Sequence, residues 1–372
     1  MKKILFIHPD LRGGGAEKVL VNLLNCLDPN KYEISLTTIF KEGVNRELLS
    51  KSIKNKTIFN KVFRGWSIIQ KIFSPSFLFK TIVKEDYDLI VAYLEGVPTR
   101  IVGGCNSPST KLVSWIHVDI TNFNIEKTFR SKKEMQLIYN KFDAIVGVSK
   151  TALNSLQNII SIPTNKSKVI YNILDIQHIV SKSEEVIEDV IFSKKVINIC
   201  TIGRLAKQKG YLRLLKIVKK LAIEHYKFHL YIIGKGELEN ELISFIRKNK
   251  INKYVTLLGF KSNPHKYVKQ CDLFVCSSFE EGYSTAVTES VIIGTPVLTT
   301  DCAGMDEILD NGKYGKIVKN NEIDLHEGLK ELLENKLLLD KYKKLTMERS
   351  LFFKNQNNIK EVESLFDEIL NQ

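Results

Sequence analysis

Short apolar runs, each too brief for a helix, recur along the sequence and alternate with amphipathic helical patterns. Lys3 to His8, Ile34 to Phe40, Leu89 to Tyr93, Leu112 to Ile116 and Ala144 to Val148 read as strands in the first half. Val196 to Thr201, Phe228 to Ile233, Val255 to Leu258, Leu273 to Cys276 and Pro296 to Thr300 read as strands in the second. Continuous apolar runs suit strands covered on both faces, and the intervening helices supply the cover. The alternation predicts an α/β fold with open parallel sheets. A chain of 372 residues has the length for two such domains. Two sheets of this kind put a ligand cleft between their facing strand ends.

The densest functional pattern lies at 276–298. The apolar run Leu273 to Cys276 is followed by a polar turn containing Glu281, Gly282 and Tyr283, then by a helical pattern from Thr285 to Ile293 closed by Gly294 and Pro296. Ser284 is placed to cap that helix, which predicts open backbone N–H groups on Thr285, Ala286 and Val287. Such a helix start attracts phosphate through its donors and its dipole. Glu281 and Glu289 bracket it, and Glu289 lies one turn beyond Thr285 on roughly the same face.

Three other turns suit anions or polar ligands. Gly13-Gly14-Gly15 follows the first strand and opens a helical pattern, and glycine permits close backbone approach to an anion. Lys18 stands where a dinucleotide fingerprint needs its third glycine. Gly203-Arg204-Leu-Ala-Lys-Gln-Lys209-Gly210 follows a strand and precedes a helix, and its Arg and Lys suit a diphosphate. His117 sits at a strand's carboxyl end, the usual ligand side of an α/β sheet. Asp86-Tyr-Asp88 precedes a strand and reads as structural rather than metal-binding.

The net charge of +13 is uneven: residues 1–170 hold 25 basic and 14 acidic side chains, and residues 171–372 hold 30 and 28. Within 51–84 there are eight Lys or Arg and no acid, interleaved with Phe59, Phe63, Trp66, Phe73, Phe77 and Phe79. That composition suits an anionic membrane surface, the alternative being a solvated helix packed on the sheet. No run is apolar enough for a membrane-spanning helix or a signal peptide. The six scattered cysteines read as reduced core residues of a cytosolic protein, not as a metal site or disulfide frame. Val169 to Asp175 reads as the crossing between domains, 176–195 as a peripheral segment of low pattern, and 324–371 as helical.

Taken together, these motifs resemble the retaining glycosyltransferases of family 4, with the GT-B fold of two Rossmann-like domains around a central cleft. The matching pieces, in the family's order, are Gly13-Gly14-Gly15-Ala-Glu, His117, Val169 to Asp175, Gly203-Arg-Leu with Lys209-Gly210, Gly234-Lys-Gly236-Glu237, and Glu281 to Glu289. The resemblance implies an acceptor domain at 1–172, a nucleotide-sugar domain at 173–350, and a terminal helical segment at 351–372 that packs back on the first domain. It is greatest to bacterial enzymes that build capsule, O-antigen and other surface glycans.

The resemblance also implies roles. Arg204 and Lys209 would neutralise the diphosphate, with Gly203, Gly282, Tyr283, Ser284, Thr285 and the helix start completing the donor site. Glu289 would accept from the ribose hydroxyls, and Glu281 would contact the donor sugar near its reacting carbon. Gly14 and Gly15 would close over the diphosphate, and His117 would contact the donor sugar and help position the acceptor. The implied substrates are a nucleotide sugar, UDP-linked, and a lipid-linked or oligosaccharide acceptor. No cofactor and no metal is implied, and the enzyme would work at the inner face of the cell membrane. Alternatives are a GT-B nucleotide-sugar epimerase, a basic protein that binds nucleic acid or membranes without catalysis, and a non-catalytic partner subunit. No nucleic-acid-binding motif is present to favour the second.

Overall fold

The computed structural model describes residues 1–63, 65–121 and 128–371, with the side chains at 67 and 355 outside the description. Arg64, part of the basic stretch, lies outside the described residues. The chain forms two compact units, Met1–Leu174 with Asn357–Gln372, and Asp175–Gln356.

In the first unit, β1 (Lys2–His8), α1 (Gly15–Cys26), β2 (Tyr32–Phe40), β3 (Lys54–Phe59), α2 (Trp66–Ile72), α3 (Pro75–Ile82), β4 (Leu89–Ala92), α4 (Val97–Val102), β5 (Lys111–Ile116), α5 (Lys132–Tyr139), β6 (Ala144–Gly147), α6 (Lys150–Gln157) and β7 (Ser167–Val169) follow in order. The seven strands are parallel, in the order β3-β2-β1-β4-β5-β6-β7. Ile4 to Ile7 and Leu89 to Ala92 are buried throughout, as expected for central strands covered on both faces. Sequence reading missed β3, an edge strand whose Lys54, Asn55 and Lys56 are exposed, so it lacks the apolar run of an interior strand.

The second unit contains α7 (Ile176–Ser183), β8 (Ile197–Ile202), α8 (Tyr211–Ile223), β9 (Phe228–Ile233), α9 (Glu239–Lys248), β10 (Val255–Gly259), α10 (His265–Gln270), β11 (Leu273–Cys276), α11 (Thr285–Ile293), β12 (Val297–Thr300), α12 (Met305–Leu309), β13 (Lys316–Val318), α13 (Glu322–Glu334) and α14 (Lys336–Asn355). Its six parallel strands run β10-β9-β8-β11-β12-β13. The core joins Leu214, Leu215, Ile217, Val218 and Leu221 of α8 to Leu230 and Ile232 of β9 and to Leu325, Leu329 and Leu332 of α13. One expectation fails here. The segment read as low in pattern contains α7, capped by Asp175, whose side chain accepts from His178 N at 2.9 Å.

The chain returns to the first unit in α15 (Asn358–Leu370), after α14 has ended at Asn355. Phe366 is fully buried, near Phe6, Tyr32 and Trp115 with ring centroids 6.2, 6.2 and 6.5 Å away. Tyr32 OH donates to Asp367 at 2.6 Å. The terminal helix is therefore an integral layer of that unit's core.

Both sheets reverse strand order beside their first strand, at β1/β4 and at β8/β11. In open α/β sheets the carboxyl ends of such strands form the ligand crevice.

Candidate active site

In the second unit, two loops meet beyond β8 and β11. The first runs from Gly203 to Gly210 and the second from Ser277 to Ser284. Ser277 Oγ donates to Lys209 O at 2.9 Å, and Phe279 N donates to Gln208 O at 2.7 Å. Gly210 has φ of 68°, and a Cβ there would lie 1.9 Å from Ser277 O, so only glycine permits this approach.

Arg213, in the first turn of α8, completes the junction. Its guanidinium donates to Ser277 O at 2.6 Å and Ser278 O at 3.0 Å, and lies 4.0 Å from the Phe279 ring centre. Sequence reading did not single it out. The available signal was a charged residue beside Tyr211, Leu214 and Leu215 on the buried face of an otherwise regular helix.

Lys209 and Glu281, expected on separate parts of the donor, are brought together. Lys209 Nζ donates to Glu281 Oε1 at 2.7 Å, and Ser278 Oγ donates to the same oxygen at 2.6 Å. Burial disfavours the lysine charge, but the Glu281 carboxylate outweighs it and holds the ammonium above its ordinary range. With Ser284, Thr201, Tyr211 and Cys276 they line one small recess. Burial pushes the thiols of both Cys276 and Cys302 up, the latter to about 12, so neither is poised as a thiolate nucleophile.

The helix start at α11 matches the expected position, with one correction. Ser284 Oγ accepts from Val287 N at 3.5 Å, so that N–H is not open, and those of Thr285 and Ala286 are the donors left open among the described residues. Gly282, Tyr283 and Ser284 are buried, and Thr285 is half-buried. Arg204 is exposed on the first loop, and its guanidinium makes no hydrogen bond or ion pair among the described residues. Gly203 begins that loop. Glu289 is buried on α11 and accepts from His265 Nε2 of α10 at 3.0 Å. That partner was not foreseen.

The remaining expected residues belong to the first unit. Gly14 caps α1 with φ of −92° and ψ of 170°, a conformation open to any residue. No residue of the Gly13–Gly15 triplet has positive φ, so this turn does not need glycine for its backbone angles. The atoms nearest to a Cβ on Gly14 would be those of the Glu17 carboxylate, the first at 2.2 Å. The space beside Gly14 is taken by the Glu17 carboxylate, and Gly15, the first residue of α1, is exposed.

His117 follows β5 in a buried cluster with His8, Tyr93 and Glu95, from the ends of β1 and β4. His117 N donates to Glu95 Oε2 at 2.8 Å, and the rings of Tyr93 and His117 lie 4.7 Å apart. Burial lowers His117 to about 3 and His8 to about 4, and it raises Glu95 to about 7. His8 Nδ1 donates to Asp10 O at 2.6 Å. Glu95 and His8 carried no motif and escaped sequence reading. The isolated pair Asp86/Asp88 is structural at Asp88, whose carboxylate accepts from Lys3 N at 2.7 Å.

The basic stretch divides in two. Phe63 and Trp66 pack edge-on with Phe40, with Phe59 and with each other, Phe59 lies tilted on Phe40, and ring-centre distances run from 5.2 to 6.3 Å; Lys54 pairs with Glu33. Beyond them Ile68, Ile72 and Phe77 are exposed, and the Phe73 and Phe77 rings stack at 4.7 Å. Two arginines pin this segment through its carbonyls. Fully buried Arg100 donates to Gln70 O, to Phe73 O at 3.1 Å and to Glu134 at 2.8 Å, and Arg130 donates to Lys71 O at 2.6 Å.

Comparison with known proteins agrees with this architecture. Residues 13–178 match the model of Glycosyltransferase Family 4, and residues 182–349 match that of glycosyl transferases group 1. A Campylobacter jejuni enzyme, N-acetylgalactosamine-N,N'-diacetylbacillosaminyl-diphospho-undecaprenol 4-alpha-N-acetylgalactosaminyltransferase, is 29% identical, with 95% of this chain and 96% of that protein covered. An Escherichia coli UDP-Gal:alpha-D-GlcNAc-diphosphoundecaprenol alpha-1,3-galactosyltransferase is 25% identical, with 87% and 86% covered. The fold is also that of Anabaena HepE, solved in complex with UDP and glucose, at a TM-score of 0.75 and 17% identity over 100% of both chains. With family models matching both halves in order, and with two Rossmann-like sheets that share the GT-B fold, this chain belongs to the family 4, group 1 glycosyltransferases.

Proposed function

We propose that this glycosyltransferase moves a hexose or N-acetylhexosamine from a UDP-sugar to a lipid-diphosphate-linked glycan of the bacterial surface, with retention at the anomeric carbon and without a metal. The observation that carries the reading is the recess formed by Lys209, Glu281 and Ser284 at the start of α11, with exposed Arg204 on the same loop as Lys209. Cations and a helix start at one switch point suit a departing diphosphate. The names of the two relatives supply the acceptor class, and the Escherichia coli relative and HepE supply UDP.

In this reading Arg204 offers its free planar fork to the diphosphate. Lys209 keeps one of its three N–H donors on Glu281 and turns the others to the leaving group. Thr285 and Ala286 N–H add donors. Glu281, held by Lys209 and Ser278, presents its second oxygen to the donor sugar, and Glu289 accepts from the ribose. The acceptor hydroxyl attacks the anomeric carbon from the face the diphosphate leaves. The bond to the phosphate oxygen breaks, and that oxygen takes the hydroxyl proton. Catalysis then consists of orientation and charge stabilisation.

The test is transfer from a panel of UDP, GDP and ADP sugars to undecaprenyl-diphosphate sugars in the presence of EDTA, with the new linkage assigned by NMR. An α-linked product from a UDP donor supports the reading. A β-linked product, activity abolished by EDTA and restored by a divalent ion, or epimerised donor without acceptor would overturn it.

Peripheral docking on an anionic bilayer belongs to the same proposal. Among the described residues no helix is long and apolar enough to cross a membrane. The exposed face of α2 and α3 carries Ile68, Ile72, Phe73 and Phe77 with Lys71 and Lys80, and no acid. Lys71→Gln with Lys80→Gln should weaken binding to phosphatidylglycerol vesicles by about 1 kcal/mol per charge. Vesicle binding equal to wild type would remove this face from the proposal.

A further inference from the structure

We propose that His265 is a positioning residue for nucleotide recognition, holding Glu289 in the rotamer that presents its carboxylate to the ribose hydroxyls. The inference rests on the donor-site role proposed for Glu289.

Every residue of α11 from Val287 to Ile293 is buried, and Glu289 is the one ionisable group among them. A carboxylate in such surroundings costs several kcal/mol unless hydrogen bonds satisfy it. His265 Nε2 donates to Glu289 Oε2 at 3.0 Å, and both residues are buried. With that proton on Nε2, Nδ1 is the bare nitrogen, and Nδ1 is buried without a hydrogen-bond partner among the described residues. An unpaired lone pair is better tolerated there than an unpaired N–H.

The donor is itself fixed. His265 opens α10, its N–H donates to Asn263 Oδ1 at 3.2 Å, and Asn263 Nδ2 donates to Lys182 O and Glu185 Oε2, each at 2.8 Å. Lys182 O lies in α7, so Asn263 ties the backbone that carries His265 to a second helix. Apolar side chains of similar volume would stabilise this packing as well as a polar pair does. The pair's distinctive effect is to fix the orientation of the carboxylate through one of its oxygens.

The experiment is a coupling cycle read by calorimetric titration of the full chain with UDP and 2′,3′-dideoxy-UDP. In wild type, loss of both hydroxyls should weaken binding roughly 10- to 100-fold, the range for hydrogen bonds to a charged group. His265→Leu, which keeps bulk without a donor, should shrink that ratio to about 3-fold or less, while His265→Gln should keep most of it. A purely structural role would weaken both ligands equally and leave the ratio unchanged. Circular dichroism checks the fold, and if the Leu variant does not fold, His265→Asn, whose shorter amide falls short of the carboxylate, replaces it. Glu289→Gln separates the two levels. If it collapses the ratio while the donor-less His265 variant keeps it, the positioning role is overturned and the Glu289 reading stands. If Glu289→Gln also keeps the wild-type ratio, the ribose reading fails and the positioning role fails with it.

Discussion

At the strand ends of the first sheet, His8, Tyr93, Glu95 and His117 are buried and driven toward their uncharged forms. At the corresponding ends of the second sheet, Lys209 and Glu281 form an ion pair at 2.7 Å, and Arg204 stands in solvent. The positions correspond topologically. His8 ends β1, and the Arg204 loop follows β8. Glu95 follows β4, and Glu281 follows β11. One topology thus carries two electrostatic designs. Neutral imidazoles and a carboxylic acid suit neutral hydroxyls, whereas fixed cations beside a helix start suit a diphosphate. The difference arises from partners: Glu281 has a lysine within reach, whereas among the described residues Glu95 has the His117 backbone N–H and its own against the cost of burial.

The largest effect should appear in the pH dependence of the first unit. Glu95 titrates near 7 when folded and near 4.5 when unfolded, so the native state binds the extra proton and stability falls as pH rises through this window, on the order of 3 kcal/mol in all. His8 and His117, at about 4 and 3 against 6.5, act oppositely: the unfolded state binds the extra protons, and stability is lost as pH falls below 6.5. Glu95 therefore partly offsets the histidines between pH 5 and 6. Glu95→Gln should steepen acid destabilisation there by about 1.4 kcal/mol per pH unit, measured by urea unfolding at each pH. An unchanged slope would mean that Glu95 is not neutral in the folded protein, and the contrast between the sheets would weaken.

Arg204→Ala tests the charged end. Turnover should fall roughly 10²-fold or more, with melting temperature nearly unchanged because the side chain is exposed and unpaired. Near-normal turnover in steady-state assays would assign the diphosphate to other groups.

The two glycine turns sharpen the comparison. Gly210→Ala should cost about 1–3 kcal/mol in denaturant unfolding, because φ is 68° and the added carbon meets Ser277 O. Gly14→Ala should change stability by less than about 0.5 kcal/mol, since its backbone is ordinary and the flexible Glu17 side chain can move aside. If Gly14→Ala still lowers turnover, substrate comes close to this turn. Equal destabilisation at both sites would erase the distinction.

Legibility followed the range of each interaction. The two parallel sheets were readable because buried central strands demand continuous apolar runs and local turn chemistry marks their ends. The edge strand β3 was not readable, since half-exposed strands need no such run. Helix α11 and its Ser284 cap were visible because capping is set by adjacent residues.

Local chemistry along the chain thus sets the order of elements and the residue types at each strand end. Which of those residues meet is set by the packing of the fold. Lys209 and Glu281 are 72 positions apart, His265 and Glu289 are 24, and His117 and Glu95 are 22. The physical reason is that desolvation and pairing depend on what surrounds a group in space. Glutamate is one residue type in the sequence, and the fold makes Glu95 an acid near neutrality and Glu281 half of an ion pair.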